Sequence, residues 1–360
     1  MDPAPALVGV TRPSARLFGH AWTALVIAPR DRAPKVRAPD RGIPRAVLLA
    51  VLLLAACARS PEPLRIATNP WPGYELLHLA DELGFFAQEG ADVRLVEFMS
   101  IGDSRRAFER GQVDAFGATL VELVLSRAQS ARQALAFMVV DLSQGADVIL
   151  ARPPIATVAD LRGRRVGIEA GTLDVLILDL ALSSAGLSLA DVRLVELSHS
   201  HKPEALARAE VDAVPAYPPV ASAILRGGVA RRIFDSARVP GAIIDVLAAD
   251  ARVAQERPDT LAAVVRAFDR ARRYTEEHPE QAHALMARRE RVTTQELREG
   301  LDGLRVVPLS EQAAYLAPAG VLGETLPATV AALRAAGVLK APADAGAGFT
   351  DVALRQAPRP

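Results

Sequence analysis

Two stretches of this chain repeat one another, and the repeat constrains the fold more than any bulk property does. Ala91-Asp-Val-Arg-Leu-Val-Glu-Phe98 returns as Ala190-Asp-Val-Arg-Leu-Val-Glu-Leu197. Val113-Asp114-Ala115 returns as Val211-Asp212-Ala213, and Leu64-Arg-Ile-Ala-Thr68 has a looser counterpart in Arg164-Arg-Val-Gly-Ile168. Three elements recurring in one order, at an offset of roughly 100 residues, indicate two similar lobes. Each copy reads strand, helix, strand, helix, strand. Short apolar runs alternate with amphipathic stretches such as 74–86 and 172–184, which predicts parallel strands, crossover helices and an α/β class.

The first lobe is expected over 64–147 and the second over 148–240. Ile243-Ile-Asp-Val-Leu-Ala-Ala249 is another buried-strand run, and from Asp250 to Gly337 composition and periodicity predict helices. If that strand rejoins the first lobe, residues 241–340 belong there too. Two crossings then join the lobes, and two crossings beside a cleft make a hinge. Residues 341–360 read as a tail.

The single cysteine, Cys57, has no partner for an intramolecular disulfide. It follows an apolar run over 46–56 that Arg41 and Arg45 precede. The run is too short to span a bilayer, so 41–56 has the layout of a secretory signal peptide. Leu54-Ala55-Ala56-Cys57 resembles a bacterial lipobox, in which the cysteine is lipidated and becomes the mature N-terminus. On that reading 57–63 is a lipidated linker, and the protein sits on the periplasmic or cell-surface side of the cytoplasmic membrane, held by its lipid. The competing reading is a buried core helix ending in an ordinary cysteine. Residues 1–40, rich in proline, alanine and arginine, read as a disordered or mis-assigned extension, with translation expected to begin nearer the signal peptide.

The chain carries 42 basic and 42 acidic side chains, so no net field attracts nucleic acid. No Gly-x-Ser-x-Gly, phosphate-loop or His-Glu-x-x-His motif is present, which favours binding over catalysis. His199-Ser-His201 offers two metal ligands where zinc takes three or four, so neither a metal nor another cofactor is expected.

In open α/β sheets, ligands bind beyond the carboxyl ends of the strands, where helix N-termini present unpaired N–H groups. The loops so placed are 69–75, 117–120 and 141–147 in the first lobe, and 169–172 and 215–219 in the second. By the duplication, the Trp71 and Gly171 loops should face each other across the cleft. Two prolines hold the backbone on either side of Trp71, and Gly73 lets the chain turn. A fixed indole can stack on a planar or cationic ligand, at about 0.5–2 kcal/mol. Alternatively it staples the helix entry by packing on Tyr74 or Leu76. Stacking predicts that Trp71→Ala weakens binding by about 1 kcal/mol or more with little loss of stability.

Pro70-Trp-Pro-Gly-Tyr-Glu75, Leu79-Ala-Asp-Glu-Leu-Gly-Phe-Phe86, Gly111-Gln-Val-Asp-Ala115, Asp160-Leu-Arg-Gly-Arg-Arg-Val-Gly167, and Phe234-Asp-Ser with Pro240-Gly-Ala-Ile-Ile-Asp-Val-Leu247 occur in this order. Together they resemble the extracytoplasmic solute-binding proteins of ABC importers, in the group serving nitrate, sulfonate, taurine and thiamine-precursor uptake, over roughly 64–334. The resemblance implies a two-lobed type II periplasmic-binding fold with a cleft between lobes and a helical C-terminal region. It also implies closure on a small-molecule solute, delivery to permease and ATPase subunits, and action as a monomer. Gln144, where relatives more often carry asparagine, and Pro218, where an acidic residue commonly follows the tyrosine, depart from the family pattern.

Within that frame Trp71 and Tyr217 are expected as stacking walls, with Tyr74 beside them, and Ser143, Asp147 and Thr172 as hydrogen-bond partners. Glu169 and Asp245 complete the set, Asp245 alternatively fixing the hinge. The cleft loops and their flanks carry Glu75, Asp147, Glu169, Asp174 and Asp245 but no lysine or arginine; Glu75 and Asp174 are also candidates for helix caps. Carboxylates disfavour anions. The residues therefore suit a neutral or cationic planar amine, such as a thiamine-precursor aminopyrimidine, over a sulfonate, taurine or nitrate. Two other readings compete: an enzyme on the same fold, as some menaquinone-pathway enzymes are, and a lipoprotein presenting its solute to a sensor kinase.

Overall fold

A computed structural model describes residues 62–340 and 348–356. Cys57, the segment 41–56 and the extension 1–40 lie outside the described residues, as do 341–347 and 357–360.

The apolar runs form two mixed sheets. The first contains β1 (Leu64–Thr68), β2 (Val93–Glu97), β3 (Ala115–Thr119), β4 (Ala134–Ser143), β10 (Ile244–Asp250) and β11 (Leu304–Val306), in the order β11-β4-β10-β3-β1-β2. The second contains β5 (Val148–Ala151), β6 (Arg165–Ile168), β7 (Arg193–Glu196), β8 (Ala213–Ala216) and β9 (Arg231–Asp235), in the order β7-β6-β8-β5-β9. β1 runs parallel to β2 and β3, as β6 does to β7 and β8. β10 is antiparallel to β3 and β4, as β5 is to β8 and β9. Laid side by side, β2-β1-β3-β10-β4 and β7-β6-β8-β5-β9 correspond strand for strand, so the sequence repeat is a structural one.

The repeat extends to a side-chain clasp. Asp114, just before β3, accepts bonds from Arg65 N (3.0 Å), Nε (3.0 Å) and Nη2 (2.8 Å) at the head of β1. Asp212, just before β8, accepts the same three from Arg165, at 2.9, 3.2 and 2.8 Å. In each lobe the aspartate returns its own N–H to the arginine carbonyl. The acidic residue of the repeated Val-Asp-Ala thus fixes where two parallel strands begin.

Because β10 lies between β3 and β4, the chain crosses from the first sheet to the second at 144–147 and returns at 236–243. The C-terminal helices cover the first sheet, the helix Pro258–Glu277 burying Leu261, Val264, Val265 and Phe268 in the same apolar cluster as Phe137 and Leu247. Two sequence expectations change here. The helix over 74–86 is two pieces, Glu75–Glu82 and Phe85–Gln88, because Gly84 adopts a left-handed conformation with φ 69°. The region from 250 to 337 is not all helix, since Leu304–Val306 pairs with the edge of β4.

Candidate functional site

The loop after β1 turns tightly, Tyr74 N donating to Trp71 O at 2.9 Å. Trp71 is 3% exposed, and its Nε1 donates to Asp141 Oδ2 at 3.1 Å. Gly73 is required by this approach: a Cβ there would stand 1.9 Å from Asp141 Oδ2. Tyr74 lies over Gly117 of β3, where a Cβ would come within 2.6 Å of its ring, and its hydroxyl donates to Asp245 Oδ1 at 3.1 Å. Trp71 and Tyr74 are therefore both fixed by buried carboxylates of neighbouring strands.

The second lobe meets this wall with Tyr217, which follows β8. Its ring is edge-on to Trp71 at 5.8 Å and stacked on His199 at 3.8 Å. Its hydroxyl accepts from Ile101 N at 3.4 Å, at the start of the first-lobe helix Ile101–Glu109. Glu169, after β6, accepts from Ser100 Oγ (2.9 Å) and Arg106 Nη2 (3.2 Å) of the first lobe. Thr172 caps the helix Leu173–Ser184 and donates to Glu169 O at 2.7 Å. Leu173 N donates across the cleft to Glu122 Oε1 at 2.7 Å. The Gly171 loop thus meets the helix starting at Ile101, while the Trp71 loop meets Tyr217; the two loops do not oppose each other as the duplication suggested.

The hinge strands are tied together where they cross. Ser143 Oγ and Ser236 Oγ are 2.8 Å apart; Gly145 N donates to Ser236 Oγ (2.6 Å) and Asp147 N to Ser143 Oγ (3.2 Å). Ser143 therefore sits in the hinge with its hydroxyl engaged by protein groups.

Where the lobes meet, Asn69, Trp71, Ile101, Thr119, Asp147, Leu173, Tyr217 and Asp245 enclose a cavity of about 10 Å³, the space of roughly one water molecule. A larger groove of about 420 Å³ lies outside it, lined by Gly145, Pro218, Arg226, Glu296 and Gly300 among others. Gly300, which lines the groove, packs on Pro72 and Pro218, the neighbours of Trp71 and Tyr217 in sequence. The groove has more room, but among the described residues its lining offers no unpartnered buried polar side-chain atom. At the small cavity Asn69 Oδ1, Asp147 Oδ2 and Asp245 Oδ2 accept no protein hydrogen bond, and neither does Asp141 Oδ1 beneath Trp71. The unpartnered oxygens therefore gather at the smaller space, which makes it the candidate site.

The charge pattern differs from the one expected. Glu75 faces away from the cleft, paired with Arg289 of the C-terminal helix Pro279–Glu290. Asp174 is bonded at 2.5 Å to Lys202, a lysine with no exposed surface, and Glu169 reaches Arg106. Three of the five acids thus have cations that lie far off in sequence, and no sequence inspection of the loops could supply them. Asp147 and Asp245 remain, joined by Asp141 and Glu122, which the reading of the loops did not select. A signal for Asp141 exists: it is the one charge in the apolar run of β4, and Asp245 likewise interrupts the apolar run of β10, whose other acid, Asp250, ends the strand. Glu122 is marked by the capping-box spacing from Thr119.

Burial pushes Asp141 up to about 8, the Trp71 bond opposing it, and Asp147 up to about 7. Asp245 is raised well above its ordinary value by burial and then by the charges of Asp141 and Asp147. Burial also raises Glu122 and Glu169. His199 is held far below its ordinary value by burial and by the Lys202 charge. With Lys202 Nζ 3.2 Å from His199 Nδ1, the ammonium can only donate there, which leaves the imidazole proton on Nε2.

Comparison with known proteins agrees with this architecture. The putative aliphatic sulfonates-binding protein of Escherichia coli K12 is 29% identical over 245 residues, covering 67% of this chain and 76% of that protein. The alkanesulfonate-binding protein SsuA from Xanthomonas axonopodis pv. citri, solved bound to MOPS, superposes with a TM-score of 0.68 at 23% identity, over 81% of this chain and 98% of its own. The desulfurization enzyme DSZB shares the fold as well, with a TM-score of 0.58 at 19% identity, over 81% of this chain and 98% of its own. The two-lobed fold is that of the periplasmic binding proteins. Residues 71–282 match the family described as NMT1/THI5 like, and the chain belongs to that family.

Proposed function

We propose that the chain is the solute-binding component of an ABC-type import system, and that its solute is a planar amine rich in N–H donors. One observation supports the ligand class: the unsatisfied polar atoms at the cavity, Asn69 Oδ1, Asp147 Oδ2 and Asp245 Oδ2, are all oxygens, acceptors once the two carboxyls give up their protons. A ring bearing N–H groups on its edge, admitted as the lobes part to widen a space that now holds about one water, satisfies them while its face lies against Trp71 or Tyr217. A sulfonate or nitrate brings acceptors only. The helix N-terminal N–H groups that would receive an anion are engaged already, Leu173 N by Glu122 and Ile101 N by Tyr217. Trp71, Tyr74, Asp147, Tyr217 and Asp245 are the proposed contacts, Glu169 and Thr172 the closing contacts, and Ser143 a hinge residue.

The names of the relatives favour a second reading, an aliphatic sulfonate, and carboxyl groups kept neutral by burial could donate to one. A thermal-shift screen of the purified protein against aminopyrimidines, amidines, taurine, alkanesulfonates and nitrate separates the two. A ligand at a hundred times its dissociation constant adds about 2.7 kcal/mol, several degrees for a protein of this size. A shift with sulfonates alone would replace the amine.

Location and anchoring belong to the same proposal. The protein is tethered by lipid at Cys57 on the outer side of the cytoplasmic membrane, acts as a monomer, and hands its solute to a permease. Metabolic labelling with a fatty acid that Cys57→Ala fails to abolish would remove the anchor.

A further inference from the structure

Asp141 and Asp245 are direct partners on the antiparallel strands β4 and β10, so their side chains leave the sheet on the same face, with Cβ atoms about 5 Å apart. Both are fully buried. Each accepts one protein hydrogen bond, from the Trp71 indole and the Tyr74 hydroxyl, and the second oxygen of each accepts none. Across the sheet the row reads Val306, Asp141, Asp245, Thr119, with no cation in it.

The elements packed against the pair add acids and a phenol. Asp147 comes from the hinge crossing, Glu122 from the helix Leu120–Gln129, and Tyr74 from the loop after β1. Glu122 is engaged by Thr119 and Leu173. Among the described residues no lysine or arginine forms an ion pair with Asp141 or Asp245; Lys202 of the second lobe bonds to Asp174 and His199 instead. Two adjacent buried carboxylates without a cation cannot both hold their charge.

We propose that Asp141 and Asp245 share one proton and are the specificity-determining pair of the site: a cationic solute, on the amine reading above, expels that proton to water as it binds. The exchange balances, one positive charge entering as N–H⁺ and one leaving as H⁺. An anion gains nothing from the exchange, and an uncharged solute leaves the proton in place. The upward displacement of both groups agrees with this arrangement.

Trp71 reports on the pair, because its indole is bonded to Asp141. In the full chain carrying Trp22→Phe it is the single tryptophan. Its emission should titrate with a midpoint near 8. A second step should follow at higher pH as the remaining proton leaves Asp245, whose carboxyl the Asp141 charge helps to hold up; Asp245→Asn should remove that second step and Asp141→Asn the first. Circular dichroism checks that each variant folds. A midpoint in the ordinary carboxylate range, or a second step that persists in Asp245→Asn, overturns the shared proton.

Calorimetry with benzamidinium, a planar cation charged throughout this pH range, in phosphate and in Tris buffer then reads the exchange. About one proton should be released per molecule bound, and none in Asp245→Asn. If benzamidinium fails to bind, or binds without releasing a proton, selection by the pair falls; a thermal shift with an aminopyrimidine would still sustain the amine reading. If the Trp71 titration behaves as stated while only sulfonates bind, the amine reading falls and the shared proton stands.

Discussion

Glu122, in the first lobe, accepts a 2.7 Å hydrogen bond from the backbone N–H of Leu173, the first residue of a helix in the second lobe. Its other oxygen accepts from Thr119 N (3.0 Å) and Thr119 Oγ1 (2.5 Å), completing the cap of its own helix. One carboxylate therefore serves two helix starts on opposite sides of the cleft. Glu122→Gln keeps one acceptor oxygen, so one of the two caps must fail. The expected cost is about 1 kcal/mol, with a population shift toward open lobes and a larger radius of gyration in small-angle X-ray scattering. An unchanged scattering curve would show that this bond does not hold the lobes together.

Gly102 lies in the first turn of the helix Ile101–Glu109, where a Cβ would stand 2.4 Å from Glu169 Oε1 and 3.0 Å from Thr172 Cγ2 of the second lobe. A branched side chain there keeps the lobes apart without touching either core. Gly102→Val is expected to expose Trp71, red-shifting its emission in the Trp22→Phe background, and to weaken solute binding about tenfold or more. Emission identical to that of the parent would mean that the helix can shift to accommodate the valine.

The acids at the cavity give stability a definite pH dependence. Asp141 and Asp147 titrate near 8 and 7 when folded, and Glu290, raised by burial, also near 7; unfolded, all three titrate near 4. The folded protein binds more protons than the unfolded chain in between, so stability falls as pH rises through that interval. Buried His78, lowered to about 4, and His199 work the other way, but only below about 6.5, where an unfolded histidine takes up its proton. The melting temperature should therefore decline from pH 6.5 to about 8, and Asp141→Asn should flatten the decline. A flat or rising curve in the wild-type protein would contradict the burial of these carboxyls.

Trp71 is buried, edge-on to Tyr217 and bonded to Asp141. Trp71→Ala is therefore expected to cost about 3 kcal/mol or more of stability in addition to any loss of affinity, contrary to the small effect that a free stacking platform would show. Trp71→Phe, which keeps the apolar bulk and removes the N–H, should lose about 1–2 kcal/mol and leave Asp141 without its one donor. Chemical denaturation of both variants tests the ordering; equal losses would leave the indole N–H without a role.

The repeat was legible because it falls on strands whose residues are nearly identical: Ala91 to Phe98 and Ala190 to Leu197 contain β2 and β7, which occupy the same edge of their sheets. The helix Leu173–Ser184 could be read from Thr172 and its periodicity. Partners distant in sequence could not be read. Glu75 looks like a cleft residue until Arg289, 214 residues later, takes its carboxylate. Lys202 sits in a polar stretch that gives no sign of burial, yet it is covered by the fold and holds Asp174 and His199. Asp141 and Asp245 are each visible as a charge in an apolar strand, and only the register of β4 against β10 makes them neighbours.

The interleaving of the strands also orders the making of the protein. β5 to β9 are consecutive in the chain, so every strand of the second sheet is present once residue 235 has emerged. The first sheet has a gap between β3 and β4 that β10 alone fills, and its edge strand comes later still. No nascent chain that stops short of Asp250 can close that gap, and until then the inner edges of β3 and β4 lack the partner to which they pair. The lobe begun first is the lobe completed last, and Asp245 reaches Asp141 only when β10 fills the gap.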